Sequence, residues 1–295
     1  MSGNLSERQS IERVGVVGCG QMGAGIAEVC ARAGVDVRVA ESDLAAAERG
    51  RARIEASFAK AVKRGKLAEA EAEAAYGRIA FSADLQDLAD RQLVIEAVAE
   101  QEQAKTSVLA ALDRIVTDPE AILASNTSSI PIMRLGTATT RPGQVIGIHF
   151  FNPVPVLPLV ELVPSLLTSE STRERAGHFV TERLGKRAVP ARDRAGFVVN
   201  ALLIPYLLAA VRMAESGFAA PQDIDDGMVL GCAHPMGPLR LADLIGLDTV
   251  RAAAEAMYEE FKEPLYTPPA LLLRMVEAGQ LGRKSGRGFY EYATA

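Results

Sequence analysis

The chain reads as an α/β domain followed by an all-α domain, and three observations predict that division. Short apolar, β-branched runs alternate with helical patterns through the first two-thirds of the 295 residues, the order that βαβ units and a largely parallel sheet require. The first of these runs leads straight into glycines at Gly18, Gly20 and Gly23 and then into a helix-forming stretch. From about Asp193 the strand signals stop, and helical patterns punctuated by Gly217, Pro221, Gly231, Pro235 and Pro268 take over. The expected domains are therefore residues 1–192 and 193–295, joined by a short ordered junction because no low-complexity linker separates them.

Strands are expected at Val14 to Val17, Val35 to Ala40, Arg78 to Phe81, Leu93 to Ala97, Ala121 to Ser125, Val145 to Ile148 and Leu159 to Val163. Between Asp43 and Tyr76 an Ala-, Glu-, Lys- and Arg-rich stretch is too long for one crossover helix and is interrupted at Gly65, which predicts two helices in a projecting hairpin. The longest apolar stretch, Phe197 to Val211, is broken by Asn200 and Pro205. It falls short of the ~20 residues needed to span a bilayer, so a buried helix is expected there.

The N-terminal segment Met1 to Ile11 is polar and mixed in charge, without a secretory pattern, which points to the cytoplasm. Cys19, Cys30 and Cys232 have neither metal-ligand spacing nor an even count; packing roles in a reduced compartment fit them, and no metal is expected. The net charge of −5 comes with scattered basic residues, which argues against a nucleic-acid partner. One local exception is the basic run at Lys60, Lys63, Arg64 and Lys66.

In the run Gly18-Cys19-Gly20-Gln21-Met22-Gly23, strand, glycines, helix and second strand arrive in the order of a dinucleotide fingerprint. Gly18 permits the tight turn, Gly20 lets backbone approach a pyrophosphate, and Gly23 lets helix and strand pack closely. The helix N-terminus then offers amide donors to the phosphates. Glu41 closes the second strand, placed to accept from an adenosine ribose and to repel a 2′-phosphate; Ser42 and Asp43 offer no compensating cation. A Rossmann-type domain binding NAD rather than NADP is expected, with FAD the other user of the same fingerprint.

His149 ends one apolar strand-like run, and Glu161 interrupts the run Leu159 to Val163. A base beside a carboxylate that the pattern would bury outlines a proton-transfer pair. Ser125-Asn126-Thr127-Ser128-Ser129 follows another strand, at the strand ends where open parallel sheets bind ligands. From that segment alone a helix-cap cluster is the plainer reading. His178 lies in a polar helical pattern and His234 in a Pro- and Gly-rich turn, positions that suit exposure and structure respectively.

Taken in order with the fingerprint, the segments Ser125 to Ser129, His149 to Pro153, Leu159 to Val163, Gly196 to Asn200, His234 to Pro238 and Gly282 to Tyr290 resemble the L-3-hydroxyacyl-CoA dehydrogenase family, most of all its bacterial 3-hydroxybutyryl-CoA members. The resemblance runs from about Arg13 to Tyr292. It implies that His149 is the general base and Glu161 its orienting carboxylate, with proton transfer at the 3-hydroxyl coupled to hydride transfer between C3 and the nicotinamide. It places Ser128 and Asn200 around the reacting oxygen. Gln21, Met22, Glu100, Lys105, Asn126, Ser128, Asn152 and Lys284 join Gly18, Gly20, Gly23 and Glu41 on the cofactor side. Ser57, Arg64 and Ser128 fall where the family contacts coenzyme A, and the hairpin lysines would add positive charge near its phosphates; a solvated basic face accounts for them equally well. Two departures stand out: Glu41 replaces a usual aspartate, and Arg283 precedes Lys284 in place of a second lysine. A homodimer through the helical domain is also implied. The alternatives left open are a 3-hydroxyadipyl-CoA or carrier-protein-bound substrate, or an NAD-binding protein without turnover.

Overall fold

The computed structural model describes residues 10–293, so most of the Met1 to Ile11 segment lies outside the described residues. These residues form two compact units, the first ending at Asp193 and the second beginning at Arg194.

In the first unit, β1 (Arg13–Val17) leads into α1 (Gln21–Arg32) and β2 (Asp36–Ala40). The Asp43 side chain caps α2 (Leu44–Lys63), accepting from the Ala46 amide at 2.7 Å, and the chain reverses at Gly65, whose φ of +64° suits glycine. Then follow α3 (Glu69–Tyr76), β3 (Ile79–Ser82), β4 (Leu93–Glu96), α4 (Glu102–Ile115), β5 (Ile122–Ser125), α5 (Ile132–Gly136), β6 (Val145–Phe150), β7 (Leu159–Pro164), α6 (Glu170–His178) and β8 (Arg187–Pro190).

The eight strands form one sheet in the order β3-β2-β1-β4-β5-β6-β7-β8. All neighbours from β3 to β6 are parallel, β7 runs antiparallel to β6, and β8 is parallel to β7. β4, β5 and β6 are buried along their whole length, as expected of parallel strands covered on both faces. The strand order reverses between β1 and β4, the switch point where open α/β sheets bind ligands. The α2–α3 hairpin does not stand clear of the domain: Ile54, Phe58, Ala72 and Ala75 pack into its main core. Strand β8 was not expected. It is a four-residue edge strand that opens on a charge and ends on proline, so no apolar alternation marks it, and an edge is where a proline can be tolerated.

The second unit is helical: α7 (Val199–Glu215), α8 (Pro221–Cys232), α9 (Pro238–Ile245), α10 (Leu247–Phe261) and α11 (Ala270–Glu277). Proline opens α8 and α9, where its missing N–H costs nothing. The helix over the Phe197 to Val211 stretch runs through Pro205 but is not buried all round. Ile204, Leu207, Leu208 and Val211 enter the unit's core, whereas Leu202 is 74% exposed. Among the described residues no helix is long and apolar enough to cross a membrane. Cys19 and Cys30 are buried, but Cys232 is exposed and has no packing role of the kind expected.

Candidate active site

Because β1, β4, β5 and β6 are adjacent and parallel, their carboxyl ends share one edge of the sheet. That edge carries the fingerprint turn, the residues after Glu96, the Ser125–Ser129 loop and His149.

At the fingerprint, Gly18 has φ +88°, and a Cβ there would meet the Ala97 carbonyl oxygen at 2.9 Å. A Cβ on Gly23 would lie 1.8 Å from the Gly18 oxygen, so helix and turn touch there, while one on Gly20 would meet nothing within 4 Å. Gly20 is also the N-cap of α1, with no side chain engaging the helix's first amides. Open space beside uncapped amides is what a pyrophosphate needs, so these residues fit a dinucleotide. Gln21 is exposed and Met22 half-buried beside them.

Glu41 stands just past β2 and accepts from the Cys19 amide and, at 3.1 Å, from the Ser42 amide. Arg53 of α2 also reaches this turn, donating to the Cys19 carbonyl at 3.0 Å. Burial and then Glu41 push the Cys19 thiol up to about 12, against the opposing pull of Arg53, so it packs as a neutral group.

His149 and Glu161 are cross-strand partners on β6 and β7. The His149 Nδ1 lies 2.7 Å from Glu161 Oε2, with Glu161 fully buried and His149 7% exposed. A carboxylate only accepts, so the neutral imidazole carries its proton on Nδ1 and its basic lone pair on Nε2. The Phe151 ring, 4.5 Å away centroid to centroid, braces the imidazole. Asn126 uses its Oδ1 to accept from the Phe150 amide at 2.9 Å, tying the β5 loop to the strand that carries His149.

Lys105 is 1% exposed, and its Nζ reaches Glu96 at 2.8 Å, Glu100 at 3.2 Å and the Val98 carbonyl at 3.2 Å. Two of its ammonium donors are thereby hydrogen-bonded, to Glu96 and Val98, and Glu100 supplies a second counter-charge. Glu100 also gathers the loop: its Oε1 accepts from the Thr127 hydroxyl, the Ser128 amide at 2.9 Å and the Ser129 hydroxyl at 3.1 Å. Partial burial acts to raise the Glu100 carboxyl, but Lys105, the Thr127 hydroxyl and the Ser128 amide together hold it below the usual range. Ser128 is half-buried and Asn152 exposed. The hydrogen bonds to Glu100 show a built loop where the segment alone allowed a simple helix cap.

On α2 Ser57 is half-buried, and Lys60, Lys63, Arg64 and Lys66 are all exposed. In the second unit Asn200 is half-buried in the first turn of α7. Lys284 is paired with Asp248 of α10 at 2.5 Å, and Arg283 lies over the Tyr292 ring at 5.3 Å. His178 is exposed; His234 Nδ1 lies 3.1 Å from the Tyr206 hydroxyl. The residue missed from sequence is Glu96. It interrupts the apolar run of β4 as Glu161 interrupts β7, so the same signal was present.

A fingerprint turn with open amides, facing a buried imidazole–carboxylate pair across one sheet edge, defines a dinucleotide-dependent dehydrogenase. The model for the 3-hydroxyacyl-CoA dehydrogenase NAD binding domain matches residues 13–194, and that for the 3-hydroxyacyl-CoA dehydrogenase C-terminal domain matches residues 196–292. The chain belongs to the 3-hydroxyacyl-CoA dehydrogenase family. It is 62% identical to the 3-hydroxybutyryl-CoA dehydrogenase of Mycobacterium tuberculosis over 96% of this chain and 99% of that protein. The crystal structure of M. tuberculosis FadB2 superposes with a TM-score of 0.96 at 62% identity, covering 96% of this chain and all of that one. That of the (S)-3-hydroxybutyryl-CoA dehydrogenase PaaH1 from Ralstonia eutropha gives 0.91 at 45% identity, covering 97% of this chain and all of the other.

Proposed function

We propose that the chain interconverts (S)-3-hydroxyacyl-CoA and 3-ketoacyl-CoA with NAD, and that its substrates are the four-carbon pair 3-hydroxybutyryl-CoA and acetoacetyl-CoA. The buried His149–Glu161 pair at 2.7 Å carries the chemistry, and the names of its relatives support the chain length.

NAD, when bound, supplies the hydride acceptor for oxidation at C3 and the donor for reduction. His149 takes the 3-hydroxyl proton through Nε2 in oxidation and returns it in reduction. Glu161 holds the ring in the tautomer that makes this possible and stabilises the imidazolium that forms. Ser128 and Asn200 donate to the reacting oxygen, each worth about 3 kcal/mol if aligned as oxyanion-hole donors are. Gly18, Gly20, Gln21, Met22, Gly23 and Glu41 hold the cofactor, with Glu100, Asn126, Asn152 and Lys284 as further contacts on that side. Ser57 and Arg64 take the coenzyme A phosphates, and Lys60, Lys63 and Lys66 add to the attracting field.

The deciding assay follows NADH absorbance with 3-ketoacyl-CoA substrates of increasing length, with a carrier-protein thioester and with NADPH in parallel. The expected outcome is the highest kcat/KM for acetoacetyl-CoA with NADH. A higher value for a dicarboxylic acyl-CoA or for the carrier-protein thioester would reassign the substrate, and tight NADH binding without turnover on any of them would remove the enzyme reading.

We place the protein in the cytoplasm, which suits its three free cysteines, and in a homodimer formed by the second unit. That unit exposes Leu202 at 74%, Phe218 at 79% and Leu230 at 83%, apolar side chains that a two-fold interface would cover. Light scattering on a sizing column is expected to give twice the chain mass, falling to the chain mass when Leu202→Arg and Leu230→Arg are combined. A dimer that survives both changes would place the interface elsewhere.

A further inference from the structure

Glu96 and Lys105 form a buried ion pair with no part in the proton or hydride chemistry. Glu96 is fully buried at the last position of β4, in register with Val17 of β1 on one side and Ser125 of β5 on the other. Both its oxygens are engaged: Oε1 accepts from Lys105 Nζ at 2.8 Å and from the Val98 amide at 2.7 Å, and Oε2 accepts from the Ser125 hydroxyl at 2.7 Å.

The Ser125–Ser129 loop is thereby gripped at both ends. At its start, Ser125 Oγ is bound by Glu96 and itself accepts from the Thr127 amide at 3.2 Å. At its far end, Lys105 bridges from Glu96 to Glu100, whose Oε1 accepts from the Ser128 amide at 2.9 Å. An apolar pair of similar volume could fill the space under the loop without loss of stability. It would leave the Ser125 hydroxyl and Glu100 without an anchor.

We propose that Glu96 is a positioning residue that fixes Ser128 at the reacting centre, directly through Ser125 and indirectly through Lys105 and Glu100. This rests on the reading that Ser128 touches the reacting oxygen. A glutamine at position 96 keeps one oxygen for Lys105 and Val98, but its amide nitrogen can only donate toward Ser125, so that hydroxyl must turn round to accept and the charge-assisted hold of both grips is lost.

Glu96→Gln is expected to lower kcat with acetoacetyl-CoA about tenfold, as misplacement of a reacting group does, while KM stays within about twofold because uniform binding is unchanged. Since Glu96→Gln leaves the buried Lys105 with Glu100 as its remaining counter-charge, the double variant Glu96→Gln/Lys105→Met removes both members of the buried pair together, and thermal melting checks that it is folded. It is expected to show the same loss of kcat. In a Ser128→Ala background, Glu96→Gln is expected to cause no further loss, because residues acting through one contact are not additive. Wild-type kcat in the folded double variant, or full additivity with Ser128→Ala, would overturn the proposal. Normal kcat in Ser128→Ala alone would instead remove the role of Ser128 on which it stands.

Discussion

His149→Gln is expected to lower turnover of acetoacetyl-CoA with NADH by about 10²–10⁴-fold, the range over which a positioned acid–base group contributes, with NADH affinity retained. Glutamine preserves a polar side chain between Glu161 and the site but does not exchange a proton near neutral pH. The pair is held by the strand ladder itself: His149 and Glu161 face one another in the β6–β7 register, and their contact is buried. Removing the imidazole therefore leaves the backbone of both strands in place. The fingerprint lies on β1 and α1, separated from β6 in the sheet by β4 and β5, so cofactor binding has no reason to change. Steady-state absorbance and NADH fluorescence titration on the same preparation check both halves. Near-normal turnover in this variant would sink the mechanism, and loss of NADH binding along with turnover would point to a structural role.

Gly20→Val is expected to weaken NADH binding about 100-fold or more, the equivalent of at least ~2.7 kcal/mol, with little change in melting temperature. Two features of the turn make this separation possible. Gly20 has φ −64° and ψ −164°, a conformation open to any L-residue, and a Cβ there meets no protein atom within 4 Å. The valine side chain therefore fits the folded protein but fills the space in which the pyrophosphate approaches the α1 amides. Gly23 provides the contrast. Its added Cβ would fall 1.8 Å from the Gly18 oxygen, so Gly23→Ala must move backbone and is expected to lower the melting temperature itself. Unchanged NADH affinity in Gly20→Val would place the cofactor phosphates away from this turn.

The family and the His149–Glu161 pair were legible because each rests on a short-range pattern. The spacing of Gly18, Gly20 and Gly23 needs only a strand before it and a helix after it. Glu161 declared itself as a charge inside an apolar strand. Glu96 carries the same signal, a charge directly after the apolar run Leu93-Val94-Ile95. Lys105 and Arg53 were harder: each sits on a helix of mixed polarity, and its partner is set by how that helix docks. Lys105 turns inward to Glu96 and Glu100, and Arg53 reaches back to Cys19 across the tight approach of Gly50. Strand β8 escaped notice because an edge strand need not alternate in polarity.

The sequence by itself determined the α/β and all-α halves and the dinucleotide fingerprint and singled out His149 and Glu161, since periodicity, glycine spacing and a charge in an apolar run are local properties of the chain. Only the tertiary structure decided that the buried Glu96 and Lys105 connect to the exposed Glu100 under the Ser128 loop, that Leu202 faces outward from its helix, and that Cys232 is exposed. Those outcomes depend on which strands become neighbours and which face of each helix is covered. These are set by packing between segments far apart in the chain, where no local pattern records them.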